Sequence, residues 1–144
     1  VSGGKVYIGS TGQSYCAFDA TDGKIVWKQF LGANIVASQA VDDRHVYIGT
    51  TGRVFYCLNK DDGSVVWKYA ANSLFNAAPF VAGEIVYIGC ADKTLYAFRA
   101  NTGELIWQLK TEGRIKTMPV AWKQYLIVMT EDDAVLGLTT ENSR

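Results

Sequence analysis

The sequence has no net charge, few prolines and no long apolar run. Its 144 residues carry 14 Lys and Arg against 14 Asp and Glu, and only 2 prolines. A nucleic-acid partner is not expected, because binding DNA or RNA needs an excess of basic residues on one face. Membrane insertion is not expected either, because no run approaches the roughly 20 apolar residues of a spanning helix. No signal peptide is visible. Hydrophobic residues still make up 49% of the chain, which is enough for a packed core.

What the chain does contain is a forty-residue repeat. Residues 6–9, 46–49 and 86–89 each read Val-Tyr-Ile-Gly. A glycine and then a tryptophan follow each copy at the same interval: Gly23, Gly63 and Gly103, then Trp27, Trp67 and Trp107. A fixed period of this length indicates a repeat architecture. The fourth copy is degenerate, since Met129 stands in the glycine position.

Each repeat has the pattern of four short strands. In the second copy, residues 45–50, 53–59 and 64–69 are rich in β-branched and aromatic residues, with Gly and Asp turns between them. Successive apolar residues, as in Val6-Tyr7-Ile8, predict strands buried on both faces. We therefore predict an all-β fold, a β-propeller segment of four-stranded antiparallel blades. It comprises about 3.5 to 4 blades of a seven- or eight-bladed ring. The predicted segments are a partial blade 1–30, blades 33–69 and 73–109, and a partial blade 113–140, with Gln39, Pro79 and Pro119 sharing a position on the first strand.

Cysteine and histidine are scarce. Cys16, Cys57 and Cys90 form no C-x-x-C pair and lie in three different positions of the repeat, so they are interpreted as small core residues. The single histidine, His45, has no evident metal co-ligands, and no Ser or Cys is placed to form a nucleophilic triad with it. The sequence therefore predicts no catalytic residue, no cofactor-binding residue and no metal ligand.

The repeat resembles that of the pyrroloquinoline-quinone (PQQ) quinoproteins and their relatives. Residues 96–107 read Tyr-Ala-Phe-Arg-Ala-Asn-Thr-Gly-Glu-Leu-Ile-Trp, which is similar to the aromatic-Ala…Thr-Gly…Trp pattern of that family. Residues 17–27 fit nearly as well, and residues 57–67 depart at the Ala and Thr positions but keep the Gly and Trp. In this pattern the repeated glycines close tight turns with positive φ. The repeated tryptophans dock one blade on the next, with each indole N–H seeking a backbone carbonyl of an adjacent blade.

The resemblance leaves three functions open. The first is a non-catalytic scaffold for protein–protein interaction, like the propeller lipoprotein of outer-membrane protein assembly. The second is a fragment of a PQQ-dependent alcohol or sugar dehydrogenase with PQQ and Ca²⁺, and the third is a sensor or regulatory propeller fused to a kinase or other enzyme. Residues 37–39, 77–79 and 117–119, which are expected to line the channel, hold none of the carboxylates that Ca²⁺ prefers. This favours the scaffold and argues against an enzyme.

A protein partner is expected on one face of the blades. Loops between the second and third strands share a face with the blade-to-blade connections, and that face is expected to be basic and partly apolar. Its candidate contact residues are Arg53, Phe75, Lys93, Arg114 and Lys116. The remaining blades of the propeller, or a second copy of the chain, are further expected partners. The resemblance implies a periplasmic or extracytoplasmic protein, whereas three unpaired cysteines would suit the cytoplasm.

Overall fold

The computed structural model describes residues 1–139, which form fourteen β-strands and no helix. The strands are β1 Lys5–Gly9, β2 Ser14–Asp19, β3 Ile25–Phe30, β4 Ala40–Val41, β5 His45–Gly49, β6 Val54–Asn59, β7 Val65–Ala70, β8 Phe80–Ala82, β9 Ile85–Cys90, β10 Thr94–Arg99, β11 Leu105–Lys110, β12 Val120–Trp122, β13 Tyr125–Met129 and β14 Val135–Thr139. Within this described part, no helix has the length and apolarity needed to cross a membrane.

The strands form four antiparallel sheets, which we number as blades 1 to 4. Blade 1 has the order β1-β2-β3, blade 2 β4-β5-β6-β7, blade 3 β8-β9-β10-β11 and blade 4 β12-β13-β14. The predicted all-β propeller segment is confirmed. The sequence-based blade boundaries stay a prediction, and the last of them, residue 140, lies outside the described residues.

The innermost strands are shorter than the sequence suggests. β4 has only two residues, and β8 and β12 have three each. Gln39, Pro79 and Pro119 come immediately before these strands instead of within them. Pairing begins at the same repeat position after Gln39, which has a backbone N–H, and after the two prolines, which lack one. Proline is therefore tolerated at this position but does not set where the strand begins.

Successive blades pack through three hydrophobic clusters, which we call the first, second and third seams. At the first seam, Tyr15 and Trp27 of blade 1 pack against Ile48 of blade 2. The second seam is aromatic, with Phe55 and Trp67 of blade 2 facing Tyr96 and Phe98 of blade 3. The third seam is smaller, and its fully or nearly fully buried members are Leu95, Ile115 and Val128.

Alternation along the strands assigns each side chain to one of two seams. Tyr7, Ala17 and Trp27 are cross-strand neighbours in blade 1, and all three lie in the first seam. Ile8 and Cys16 are paired with each other and therefore point to the opposite side, away from blade 2. A register shift recurs between the third and outer strands of blades 1, 2 and 3 at the same repeat position. The repeat thus specifies the irregularities of each blade as well as its strands.

Candidate interaction faces

A tryptophan of one blade reaches the backbone of the next at the first two seams. The Nε1–H of Trp27 donates to the carbonyl oxygen of Lys60 at 3.0 Å, and that of Trp67 donates to Ala100 at 2.8 Å. Both indoles are at most 9% exposed. A buried indole needs a partner for its N–H, and here that partner belongs to the neighbouring blade. Each of these tryptophans therefore joins two blades by packing and by a hydrogen bond.

The repeated glycines make room for these rings. A Cβ added at Gly103 would lie 2.6 Å from Cδ2 of Trp67, and Gly63 is equally close beneath Trp27. Both glycines have φ of 73°, a conformation that glycine adopts without steric cost. Two separate constraints, the backbone angle and the contact with the ring, therefore require glycine at this position.

The first repeated glycine, Gly23, and the last repeated tryptophan, Trp107, lack the contact described above. Gly23 has the same backbone angle, with φ of 71°, but a Cβ added there would meet nothing within 4 Å. Trp107 is only half-buried, and the repeat positions that would face it, 140 and 143, lie outside the described residues. A groove of about 660 Å³ runs beside Trp107 between blades 3 and 4. Its apolar lining includes Phe80, Tyr87, Trp107, Leu109, Tyr125 and Leu126.

The connections between blades meet the loops between second and third strands at one end of the sheets, which we call the connector face. It comprises loops 10–13, 50–53, 91–93 and 130–134 with connections 31–39, 71–79 and 111–119. Arg53 and Lys93 lie at the tips of two loops, with φ of 65° and 67°. Their carbonyls accept the backbone N–H groups of Ala71 and Thr111 at 2.9 and 2.8 Å. Both basic side chains are exposed, on loops that this hydrogen bonding holds in place.

The two other predicted basic residues are paired with an acid. Arg114 Nε lies 3.9 Å from Glu131 Oε2, and Lys116 forms an ion pair with the same carboxylate. The structure thus brings Arg114 and Lys116 together around Glu131, while Arg53 and Lys93 lie in the loops of blades 2 and 3. The positive charge of the connector face is therefore partly neutralised at its blade 4 end.

The prediction that Phe75 contributes to an exposed partner face is wrong. Phe75 is fully buried, with its ring 5.7 Å from that of Phe55 and 6.1 Å from that of Tyr96. Its Cβ approaches Gly49, where an added Cβ would lie only 2.7 Å away. Ile35 and Ile115 hold the same repeat position and are buried too. One connection residue per repeat therefore packs against the end of a seam. The apolar character of this position in all three copies was a signal in the sequence that it is buried.

A polar cluster at the edge of the second seam escaped the sequence analysis. Tyr47 donates its hydroxyl hydrogen to Asp42 Oδ2 at 2.7 Å, and the backbone N–H groups of Arg44 and His45 donate to Asp42 Oδ1 at 2.8 and 2.7 Å. The His45 Nδ1 lies 3.3 Å from the Tyr47 hydroxyl. Burial alone would raise the pKa of Asp42, but these hydrogen bonds lower it overall. The signal was the Asp-x-x-His-x-Tyr spacing across a tight turn, which occurs only in the second copy.

Metal ligands and reactive thiols are not clustered in the described part. Residues 1–139 hold no group of three or more His, Cys, Asp and Glu placed to bind a metal ion. Cys57 and Cys90 are fully buried, and burial raises the pKa of Cys90 to about 11. Cys16 is the partly exposed thiol.

Four antiparallel sheets, the first three of them joined by tryptophan-on-glycine contacts, define a segment of a PQQ-like repeat β-propeller. A family model described as outer membrane protein assembly factor BamB matches residues 1–47 and 17–144, which together span the whole sequence. The chain belongs to this family. No curated protein matches the sequence significantly.

Solved structures agree with this assignment of the fold. BamB from Moraxella catarrhalis is 24% identical and superposes with a TM-score of 0.88 over 99% of this chain, which spans 45% of the BamB chain. The computationally designed protein Ika4 is 17% identical, with a TM-score of 0.87 over 96% of this chain and 87% of its own. The designed protein Ika8 is 16% identical, with a TM-score of 0.87 over 100% of this chain and 45% of its own. This chain therefore covers less than half of the BamB structure that it resembles.

Proposed function

We propose that this chain is part of a non-catalytic propeller scaffold that binds protein partners in outer-membrane protein assembly. The observation that carries the proposal is membership of the BamB family along the whole sequence. The geometry supports it, because exposed Arg53 and Lys93 stand on loops tied to the neighbouring connections. Exposed side chains on a rigid frame suit recognition of another protein.

The docking face in this proposal is the connector face, with Arg53 and Lys93 as its main contacts. Arg114 and Lys116 contribute less, because Glu131 already pairs with both. The partner is a protein with an acidic surface, so electrostatic attraction speeds its association and fixes its orientation. The cellular site in the proposal is the periplasm, in keeping with the family. The segment holds no cofactor of its own in this proposal.

The test is binding of the purified protein to a purified outer-membrane protein assembly complex, measured by surface plasmon resonance. The double substitution Arg53→Glu and Lys93→Glu is expected to lower the affinity at least about tenfold. The matched control is the double substitution Lys24→Glu and Lys123→Glu, because both side chains are exposed at the opposite end of the sheets and the change in net charge is the same. Unchanged binding of the double variant, or equal loss in the control, contradicts the connector face as the docking face.

The non-catalytic part of the proposal is tested separately, by titration with PQQ. PQQ is added with Ca²⁺, and binding is followed by the quinone absorption and by calorimetry. The proposal expects no saturable binding to this chain. Stoichiometric binding of PQQ would overturn it in favour of a dehydrogenase fragment.

A further inference from the structure

The outer strand of blade 2 has an unpaired edge and an exposed apolar pair. Its sheet has the order β4-β5-β6-β7, and no strand of the described part lies beyond β7. Val65 and Val66 are 42% and 43% exposed, although blades 1 and 3 flank this blade through the first and second seams. Exposed apolar side chains beside unpaired backbone groups favour pairing with another strand. This edge is therefore a candidate interaction surface, and it lies outside the connector face.

The pairing of β7 with β6 decides which backbone groups face outward. The Ala71 N–H donates to the carbonyl oxygen of Arg53, on the side of β6, at 2.9 Å. In an antiparallel pair, the backbone groups of alternate residues face the same neighbour. The N–H and C=O groups of Val66, Lys68 and Ala70 therefore face away from β6. They provide the donors and acceptors that an added strand requires.

The side chains of these three residues decide which strand would fit. They lie on one side of the sheet, because side chains alternate along a strand, and all three are exposed. Lys68 forms no ion pair with any residue from 1 to 139. Across two strands, an apolar residue pairs favourably with an apolar residue and a basic residue with an acidic one. The matching strand therefore has an apolar residue opposite Val66 and an acidic residue opposite Lys68.

The corresponding edges of blades 1 and 3 are less suited to such a strand. In blade 1, the outward-facing carbonyl oxygen of Phe30 accepts a hydrogen bond from Gln29 Nε2 at 3.4 Å. In blade 3, Gln108 stands in the lysine position, and Lys110 donates to the carbonyl oxygen of Asp92. Among these three blades, blade 2 therefore combines open backbone groups with an unpaired positive charge at the centre of its edge.

We propose that β7 binds an extended segment of a partner protein by strand addition. The segment runs antiparallel to β7 and carries alternating apolar and acidic residues, which face Val66 and Lys68. A second copy of this chain is disfavoured, because antiparallel pairing of two β7 strands about Lys68 would place like charges opposite each other. The inference is independent of the connector-face proposal, since Arg53 and Lys93 are unchanged in every variant below.

A synthetic peptide tests this edge directly. The acetylated and amidated peptide Ser-Thr-Glu-Thr-Val-Thr places its glutamate opposite Lys68 and its valine opposite Val66 when it runs antiparallel to β7. Amide hydrogen exchange of the purified protein is followed by nuclear magnetic resonance. At saturating peptide, the amides of Val66, Lys68 and Ala70 are expected to exchange at least about tenfold more slowly. The amides of Trp67 and Tyr69, which face β6, are expected to change little.

A charge reversal tests the pairing with Lys68. Lys68→Glu is expected to lower the affinity for the peptide at least about tenfold, and replacing the glutamate of the peptide by lysine is expected to restore it. Lys28→Glu is the matched control, because Lys28 holds the same repeat position in blade 1 and the change in charge is the same. It is expected to leave the affinity unchanged.

A proline substitution tests the backbone contact. Val66→Pro removes an outward-facing N–H and leaves the hydrogen bonds to β6 in place, so it is expected to abolish binding. Ile106→Pro is the matched control, because it makes the same change on the edge of blade 3. Circular dichroism shows whether both variants fold, and the charge reversal decides the matter if Val66→Pro does not.

Three results would overturn the proposal. The first is unchanged exchange of the outward-facing amides at the highest soluble concentration of peptide. The second is slower exchange confined to loops 50–53 and 91–93, which would place the peptide on the connector face. The third is slow exchange of the outward-facing amides without peptide that accelerates on dilution, since a second copy of the chain would then occupy the edge.

Discussion

The second and third seams of this chain use the same repeat positions and pack to different extents. The second seam buries Trp67 and Phe98 in one aromatic cluster. At the third seam Trp107 is half-buried, and the cluster is aliphatic. Five aromatic positions of the second seam hold Leu or Ile at the third: Phe55 and Leu95, Tyr69 and Leu109, Phe75 and Ile115, Tyr96 and Leu136, Phe98 and Leu138.

This difference separates what the repeat keeps from what it varies. The Val-Tyr-Ile-Gly segment, the turn glycine and the tryptophan recur in the first three copies and set the course of the backbone. The surrounding side chains set how strongly two blades adhere, because each buried aromatic residue removes more apolar surface from water than Leu does. A repeat can therefore preserve its shape while one seam becomes weaker than the next.

The largest expected difference in stability between the two seams is that between Trp67→Ala and Trp107→Ala. Trp67→Ala is expected to lower the free energy of unfolding by roughly 3–5 kcal/mol, because it leaves a cavity and removes the hydrogen bond to Ala100. Trp107→Ala is expected to cost about 1–2 kcal/mol, because its side chain is only partly removed from water. Urea titration followed by circular dichroism measures both. Equal losses would mean that the two seams contribute alike.

Gly89, the last residue of the Val-Tyr-Ile-Gly segment of blade 3, tests whether the third seam is closely packed at the connection that follows blade 3. A Cβ added at Gly89 would lie 2.6 Å from Cβ of Ile115 and 3.2 Å from its carbonyl oxygen. Gly89→Ala is therefore expected to destabilise by about 3 kcal/mol, as overpacking does. Gly137→Ala is the control, because its nearest neighbour, Tyr125, would be at 3.8 Å. A shift in melting temperature for Gly89→Ala no larger than that for Gly137→Ala would show that the connection is free to move aside.

The polar cluster at the second seam has no counterpart at the third, where Tyr87 and Ala82 replace Tyr47 and Asp42. Tyr47→Phe is expected to cost about 1.5 kcal/mol at neutral pH, the value of a hydrogen bond to a charged group. Tyr87→Phe is the control and is expected to be nearly neutral. Melting temperatures at pH 7 give both values.

The effect of Tyr47→Phe is expected to depend on pH. Folding lowers the pKa of Asp42 below its ordinary value of 3.8, so the stabilisation is fully present above that value. It is lost as the pH falls through the lower pKa of the folded state. The variant and the parent protein should therefore converge in stability in acid. A difference that stays constant down to the lowest pH at which both fold would contradict the role of the Asp42 charge.

Periodicity predicted the propeller because the period of the repeat is a property of the chain itself. Pairing also depends on the neighbouring strand, and the innermost strands proved shorter than the sequence suggests, whether Gln39 or a proline precedes them. The direction in which a connection residue points depends on its neighbours in space, which is why Phe75 was misplaced. The Asp42 cluster was missed because Asp42 and His45 occur in only one copy, and a repeat pattern consists of the residues that the copies share.

Glu131→Gln is expected to change the free energy of unfolding least among these substitutions. Glu131 of blade 4 pairs with Arg114 and Lys116 of the connection from blade 3, so the third seam has ion pairs at its edge. Because these side chains are solvent-accessible, the loss should be at most about 1 kcal/mol at low salt and nearly nothing at high salt. Glu104→Gln, which breaks a pair with Arg99 confined to one turn, is the matched control. If Glu131→Gln instead lowers the free energy of unfolding as much in high salt as in low salt, the carboxylate acts through packing. The ion pairs at the edge of the third seam would then contribute nothing through their charge.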